Sequence, residues 1–144
     1  MDFSEEMIDE ILKIFQVESE EIISRLNNNL LDLEKNPNNK DAILMLFRDA
    51  HSLKGASRMV GFNNAQILAH KMEDVLGLAK ENKISLNFKV VNILYKTVDF
   101  LSELIQKSIQ KGQEIYSEDI SQQVSILDSV SEYAVEGNQK ITQI

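Results

Sequence analysis

The chain has 144 residues, a net charge of −8, a single proline and no cysteine. This length fits one domain of common size, and the lack of cysteine excludes disulfides, thiolate zinc sites and thiol nucleophiles. Because its lysines and arginines are scattered rather than clustered, nucleic acid is a poor candidate partner. The longest apolar run, residues 42–47, is too short to cross a bilayer, and the acidic N-terminus does not resemble a signal peptide. We therefore expect a cytoplasmic protein with no direct membrane insertion.

The first two predicted helices are marked by capping residues and by a proline. Ser4 is placed to cap the first helix, whose apolar residues recur every three or four positions from Ile8 to Leu33. Pro37 ends it, because proline disfavours helical geometry in the preceding residue. The second helix is capped by one residue of the pair at 38–39 and ends by Gly61.

The third predicted helix has a start signal of its own. Asn63 is the expected N-cap, with Gln66 three residues on as in a capping box. Phe62 and Ile67 have the spacing of a hydrophobic staple. The apolar pattern of this helix fades at residues 81–83.

Two further helices complete the predicted fold. Ser85 caps the fourth, which ends at Gly112, and Ser117 caps the fifth, which ends at Gly137. Short connections favour antiparallel neighbours. We therefore predict an all-α, antiparallel, up-and-down four-helix bundle with an additional C-terminal fifth helix. Residues 1–137 would form the domain, and 138–144 a tail or the start of a linker.

Polar residues on the second and third helices predict a cluster on one flank of the bundle. His70 and Glu73 are on one line of the third helix, away from its apolar stripe. Lys54 and Arg58 lie one and two turns beyond His51 on the second helix. If the two helices pack antiparallel, these lines face one another.

Several interpretations compete for this cluster. The plainest makes His51 a boundary residue, His70 and Glu73 a solvated pair and the two cations solubilising charges. A metal site has the right ligand types, but the motif points outward, and Lys54 would repel a cation. Hydrolysis is disfavoured, since Ser52 points about 100° away from His51 on a helix. The five glycines form no phosphate-binding loop, which excludes an autonomous kinase.

Phosphoryl transfer is the remaining interpretation. A neutral imidazole is nucleophilic near pH 7 when one ring nitrogen has a free lone pair. Glu73 would accept the proton of the other nitrogen of His51 and orient the ring, and Lys54 would neutralise phosphoryl oxygens. Gly55 costs a helix about 1 kcal/mol relative to alanine, which suggests a bare patch where a partner docks. Without a nucleotide site, the domain would be a carrier and not itself an enzyme.

The segments FRDAHSLKGASRMVGF and LAHKMEDVL resemble histidine phosphotransfer (HPt) domains. More specifically, they resemble the N-terminal phosphotransfer domains of CheA chemotaxis kinases. The resemblance covers roughly residues 1–110, including LLDLEKNP before the second helix. It implies that His51 is the phosphoacceptor, that Glu73, Lys54 and His70 form its supporting network, and that Gly55 keeps the surface open.

The resemblance also implies the partners. ATP would be held by a separate histidine kinase domain, with no cofactor in this domain, and the acceptor would be an aspartate of a CheY-like or CheB-like receiver domain. The sequence departs from the family at Ala56, where a second glycine is common, and in the basic SRMVGF connection, where Arg58 is a candidate phosphate or partner contact. A fragment of a longer kinase is the leading interpretation. The alternatives are a freestanding phosphorelay protein and a non-catalytic scaffolding bundle.

Overall fold

The protein is helical throughout the part that the structure describes. The structure, a computed structural model, describes the backbone of residues 4–142 and the side chains of residues 4–132. Its elements are α1 (Glu5–Lys35), α2 (Lys40–Met59), α3 (Asn63–Lys80), α4 (Phe88–Lys111) and α5 (Glu118–Thr142). None of these helices combines the length and the hydrophobicity that a membrane crossing needs.

The first four helices pack as a closed ring. Contacts join α1 to α2, α2 to α3, α3 to α4 and α4 back to α1, while α5 packs on α3 and α4. The short connections make successive helices antiparallel. This arrangement confirms the predicted four-helix bundle with an additional fifth helix.

The centre of the bundle is filled with aliphatic side chains. Leucine dominates because it is a strong helix former that loses little rotamer freedom in a helix, and its branched side chain interdigitates between packed helices. The largest fully enclosed side chains are Ile22, Leu26, Leu30, Leu33, Leu46, Leu53, Leu68, Met72, Leu76, Leu94, Leu101 and Leu127. These positions match the apolar stripes read from the sequence.

Three of the predicted N-caps are confirmed. The side-chain oxygens of Ser4, Asn39 and Ser117 each accept a backbone N–H bond from two or three residues on, at 3.1 to 3.3 Å. Gly112 ends α4 in a left-handed conformation with φ of 77°, which glycine adopts without steric cost.

The start of α3 differs from the prediction. Asn63 is the first helical residue, so the predicted N-cap at Asn63 and its capping box with Gln66 are wrong. Instead, the carboxylate of Glu114, in the connection between α4 and α5, accepts hydrogen bonds from the backbone N–H groups of Asn64 (2.9 and 3.0 Å) and Ala65 (3.1 Å). A negative charge is favourable at this end of a helix, so a distant residue replaces the local cap.

Two residues that the sequence placed on apolar faces, Ile67 and Ile8, are more exposed than expected. Phe62 packs edge-on against Phe15, with ring centroids 5.4 Å apart, whereas Ile67 stays about half exposed. The proposed Phe62–Ile67 staple is therefore not a buried pair. Ile8, which the periodicity placed on the core stripe of α1, is likewise partly exposed.

The start of α4 lies two residues later than predicted. Asn87, not Ser85, is the N-cap, and its side-chain oxygen accepts a hydrogen bond from the N–H of Val90 at 3.0 Å. The burial of Leu86 and Val91 in the core fixes the residue at which α4 begins. They flank the cap with the spacing of a hydrophobic staple.

Polar contacts anchor α5 to the bundle. The side-chain amide of Gln123 donates to Thr97 Oγ1 at 2.9 Å and to the carbonyl of Ile93 at 3.2 Å. The backbone helix continues past Gly137 to Thr142, so the predicted helix end at Gly137 is wrong. The assignment of residues 138–144 to a tail or linker stays a prediction.

We expect Glu114→Ala to lower the free energy of unfolding by roughly 1–2 kcal/mol, since it leaves two N–H groups of α3 without their acceptor. The matched control is Glu103→Ala, which removes an exposed pair with Lys107 and should cost less than about 0.5 kcal/mol. Urea unfolding followed by circular dichroism measures both. Equal stabilities for the two variants would show that Glu114 does not cap α3.

Candidate functional site

His51 is on the solvent-facing edge of α2. Its neighbours Ala50 and Leu53 are fully buried, so α2 is packed against the core of the bundle at this point. The His51 side chain is 65% exposed. The imidazole is therefore accessible to a partner while its backbone is fixed by the core.

Glu73 on α3 meets His51 across the interface between the two helices. Its Oε1 lies 3.1 Å from His51 Nδ1. The antiparallel packing of α2 and α3 brings these residues together although 22 positions separate them in the chain. The Glu73 side chain is only 13% exposed, so the carboxylate is shielded while the imidazole is not.

The charge of Glu73 determines the tautomer of His51. Burial raises the pKa of Glu73, but its contacts with Lys54 and His51 outweigh burial and hold the pKa below its ordinary value of 4.5. Glu73 is thus a carboxylate at neutral pH and can only accept hydrogen bonds. We therefore assign the hydrogen of neutral His51 to Nδ1, which donates to Glu73. Nε2 keeps its lone pair.

Lys54 holds the other oxygen of the same carboxylate. Its Nζ lies 2.8 Å from Glu73 Oε2. The two opposite charges form an ion pair at this distance, and the contact lowers the pKa of Glu73. Glu73 therefore contacts both the imidazole of His51 and the ammonium group of Lys54, which lie one turn apart on α2.

Gly55 leaves an open surface beside Lys54. A Cβ atom added there would meet no heavy atom within 4 Å. Packing inside this domain therefore does not require glycine at that position. Arg58, one turn further along α2, is exposed and pairs with no carboxylate among the side chains of residues 4–132. Its role as a phosphate or partner contact stays a prediction.

His70 does not join the network of His51. Its Nε2 is 3.6 Å from Asp74 Oδ1 on its own helix, and the polar contacts of Glu73 are made by His51 and Lys54. The sequence placed His70 and Glu73 on one line, but the imidazole turns along α3 toward Asp74. The structure thus brings three of the four predicted network residues together.

One supporting pair was missed by the sequence analysis. Asp49, two residues before His51, is largely buried and contacts Arg25 of α1 at 3.1 Å. This pair attaches α2 to α1 two residues before His51. No local signal reveals it, because a single aspartate near the apolar face of a helix gives no indication of a partner on another helix.

The geometry of this site suits a positioned nucleophile. It has an accessible imidazole nitrogen with a free lone pair, a shielded carboxylate on the opposite nitrogen and a cation nearby. Among the described residues, no group of three or more His, Cys, Asp or Glu side chains converges as a metal site would.

Comparison with known proteins identifies the family of this chain. The family model for the Hpt domain matches residues 10–111. The chemotaxis protein CheA of Treponema pallidum (strain Nichols) is 32% identical over 121 residues, which are 84% of this chain and 15% of that protein. The chain thus spans a small part of the length of this relative.

Solved structures agree with the fold. The CheA phosphotransferase domain from Thermotoga maritima is 32% identical, with a TM-score of 0.68, over 70% of this chain and 96% of that chain. The phosphorylated P1 domain of CheA3, in complex with CheY6 from R. sphaeroides, has a TM-score of 0.82 over 88% of this chain and 98% of that chain. At 22% identity the latter supports the fold alone. Since the Hpt model covers more than half of the chain and includes both His51 and Glu73, this protein belongs to the Hpt domain family.

Proposed function

We propose that His51 receives a phosphoryl group from ATP bound to a separate histidine kinase domain and passes it to an aspartate of a response regulator. The observation that carries this proposal is the contact between His51 Nδ1 and Glu73, which leaves the exposed Nε2 as the nucleophile. The domain acts as a phosphoryl carrier.

The first transfer needs no proton acceptor. The lone pair of Nε2 attacks the γ-phosphorus of ATP, a bond forms between Nε2 and phosphorus, and ADP leaves with the electrons of the broken P–O bond. The ring becomes an imidazolium that keeps its hydrogen on Nδ1. Glu73 stabilises this positive charge through the hydrogen bond that already exists in the resting state.

The second transfer reverses the first at the histidine. A carboxylate oxygen of the regulator attacks the phosphorus, and the N–P bond breaks. The leaving group is neutral imidazole, a better leaving group than an anionic ring, because Nδ1 has kept its hydrogen. Lys54 lies one turn from His51 and supplies a positive charge for the phosphoryl oxygens in both steps.

The relatives support the proposed partners. The matched CheA protein is far longer than this chain, and a histidine kinase domain in the same or a separate polypeptide would supply the bound ATP. The R. sphaeroides P1 domain is in complex with CheY6, and a CheY-like or CheB-like receiver domain is the acceptor we propose. Chemotaxis signalling in the cytoplasm is the corresponding setting.

His51→Gln should abolish phosphorylation, because the amide cannot form the N–P bond. The measurement is incubation with the kinase domain of a CheA relative and labelled ATP, followed by tests of the label in acid and alkali. The label should be stable in alkali and lost in acid. His70→Gln is the matched control, since His70 is the second of the two histidines, and it should keep most of the activity. Undiminished labelling of His51→Gln would place the acceptor elsewhere.

Glu73→Ala should slow phosphorylation roughly 10- to 100-fold, by analogy with the cost of losing a carboxylate that orients a metal-binding histidine. The melting temperature should change little, since Glu73 is at the edge of the core. Asp74→Ala is the control, because Asp74 contacts His70 and not His51, and it should transfer at nearly the wild-type rate. If the Glu73 variant lost its fold but not its rate per folded molecule, Glu73 would be a structural residue only.

Gly55→Ala should raise the free energy of unfolding by roughly 0.5–1 kcal/mol, since alanine favours the helix and open space surrounds the new Cβ. Gly55→Leu should slow transfer to and from partners by blocking their approach, while the fold is kept. Gln106→Leu on α4 controls for an added exposed leucine. Normal transfer by Gly55→Leu would remove Gly55 from the docking surface.

A further inference from the structure

The N-terminal half of α1 exposes an apolar line that the bundle does not use. Met7, Ile11, Ile14 and Val17 are spaced four, three and three residues apart, so they share one face of the helix. We call these four residues the α1 stripe. They are 39% to 68% exposed, and Ile14 is the most exposed of them. Single exposed apolar residues are ordinary, but a continuous row of them marks an interaction surface.

The α1 stripe lies outside the face of α1 that packs into the bundle. Leu12 and Phe15, on the core-facing side, fill the bundle, so the apolar residues of α1 extend beyond its buried face over this stretch. At its C-terminal end the stripe is an open, nearly flat surface, where Ile14 and Val17 lie beside Lys13, Glu18 and Glu21. An apolar face of this length suits another helix better than it suits a small molecule.

The charge around the α1 stripe restricts what can cover it. Residues 5–21 include seven Asp or Glu side chains and one lysine, a net charge of −6 out of the −8 of the whole chain. All seven carboxylates are exposed. A second copy of this surface would bring two strongly negative rims together, and an anionic membrane surface would be repelled for the same reason.

We propose that the α1 stripe docks an amphipathic helix whose apolar face is flanked by lysine or arginine. The apolar residues would supply burial, and the acidic rim would select a basic partner and speed its association. His51, Lys54 and Glu73 are on α2 and α3, whereas all four residues of the stripe are on α1. The proposal does not rest on the proposed function of His51.

The test is a titration of the ¹⁵N-labelled chain with a synthetic 18-residue peptide that has leucine at helical spacing and lysine elsewhere. Backbone amide shifts should change mainly within residues 5–21. A peptide of the same composition in shuffled order should bind at least tenfold more weakly. The dissociation constant should also rise severalfold with added salt, because the screening length falls from about 10 Å at 0.1 M to about 3 Å at 1 M.

Two variants separate the apolar from the electrostatic contribution. Ile14→Ser/Val17→Ser should weaken binding at least tenfold, with unchanged melting because both residues are exposed. Glu18→Lys/Glu21→Lys should weaken it by a similar factor while the apolar stripe stays intact. Leu31→Ser, a half-exposed leucine on the C-terminal half of α1, is the matched control and should bind within twofold of the wild type.

Three results would overturn the proposal. The first is a set of shift changes that maps outside residues 5–21. The second is unaltered peptide affinity in Ile14→Ser/Val17→Ser. The third is a dimer of the wild-type chain in sedimentation experiments that this double variant dissociates, because the occupant would then be a second copy of the chain.

Discussion

The hydrogen bond between His51 and Glu73 is the interaction on which the proposed function of this domain depends. At 3.1 Å it joins α2 to α3 across the surface of the bundle. It is made by a carboxylate that burial alone would tend to neutralise. Lys54 resolves this conflict, because its ammonium group lies 2.8 Å from the same carboxylate and helps to keep it charged. In the proposed mechanism, the charge of Glu73 orients His51 as the nucleophile, and no group has to remove a proton from it.

The rest of the bundle holds the two helices in the geometry that this contact needs. Arg25 pins α2 through Asp49, two residues before the histidine. Glu114 caps the first turn of α3, and Lys71 joins α3 to Asp128 of α5 at 2.9 Å. Each of these contacts attaches a site-bearing helix to an element outside the α2–α3 pair. The fifth helix therefore contributes to the platform of the site, although none of the three site residues belongs to it.

Much of the fold and the centre of the site could be predicted from the sequence. Helical periodicity indicated the helices and their buried faces, and local caps such as Asn39 indicated most of the boundaries. The failures have a common cause. Asn63 was a plausible cap by local pattern, but the acceptor for α3 comes from Glu114, some 50 residues away. Ser85 was the first available cap before α4, but burial of Leu86 shifted the start to Asn87.

The site shows the same division between local and tertiary information. Residue spacing placed Glu73 on a polar face of α3 and Lys54 one turn beyond His51 on α2. The structure brings Glu73 into contact with both residues. His70 was on the predicted line as well, but a side chain near the surface can choose among several neighbours, and it turns to Asp74. Spacing predicts which residues share a face, whereas the rotamer of an exposed side chain depends on contacts that spacing does not encode.

The most direct test of this account is an NMR measurement of the two ring nitrogens of His51 in the unphosphorylated protein at neutral to mildly alkaline pH. The account predicts that Nδ1 has the chemical shift of a protonated nitrogen and Nε2 that of an unprotonated one, and that Glu73→Gln reduces this preference. A dominant tautomer with hydrogen on Nε2, or a preference that Glu73→Gln leaves unchanged, would contradict the claim that Glu73 prepares Nε2 as the nucleophile.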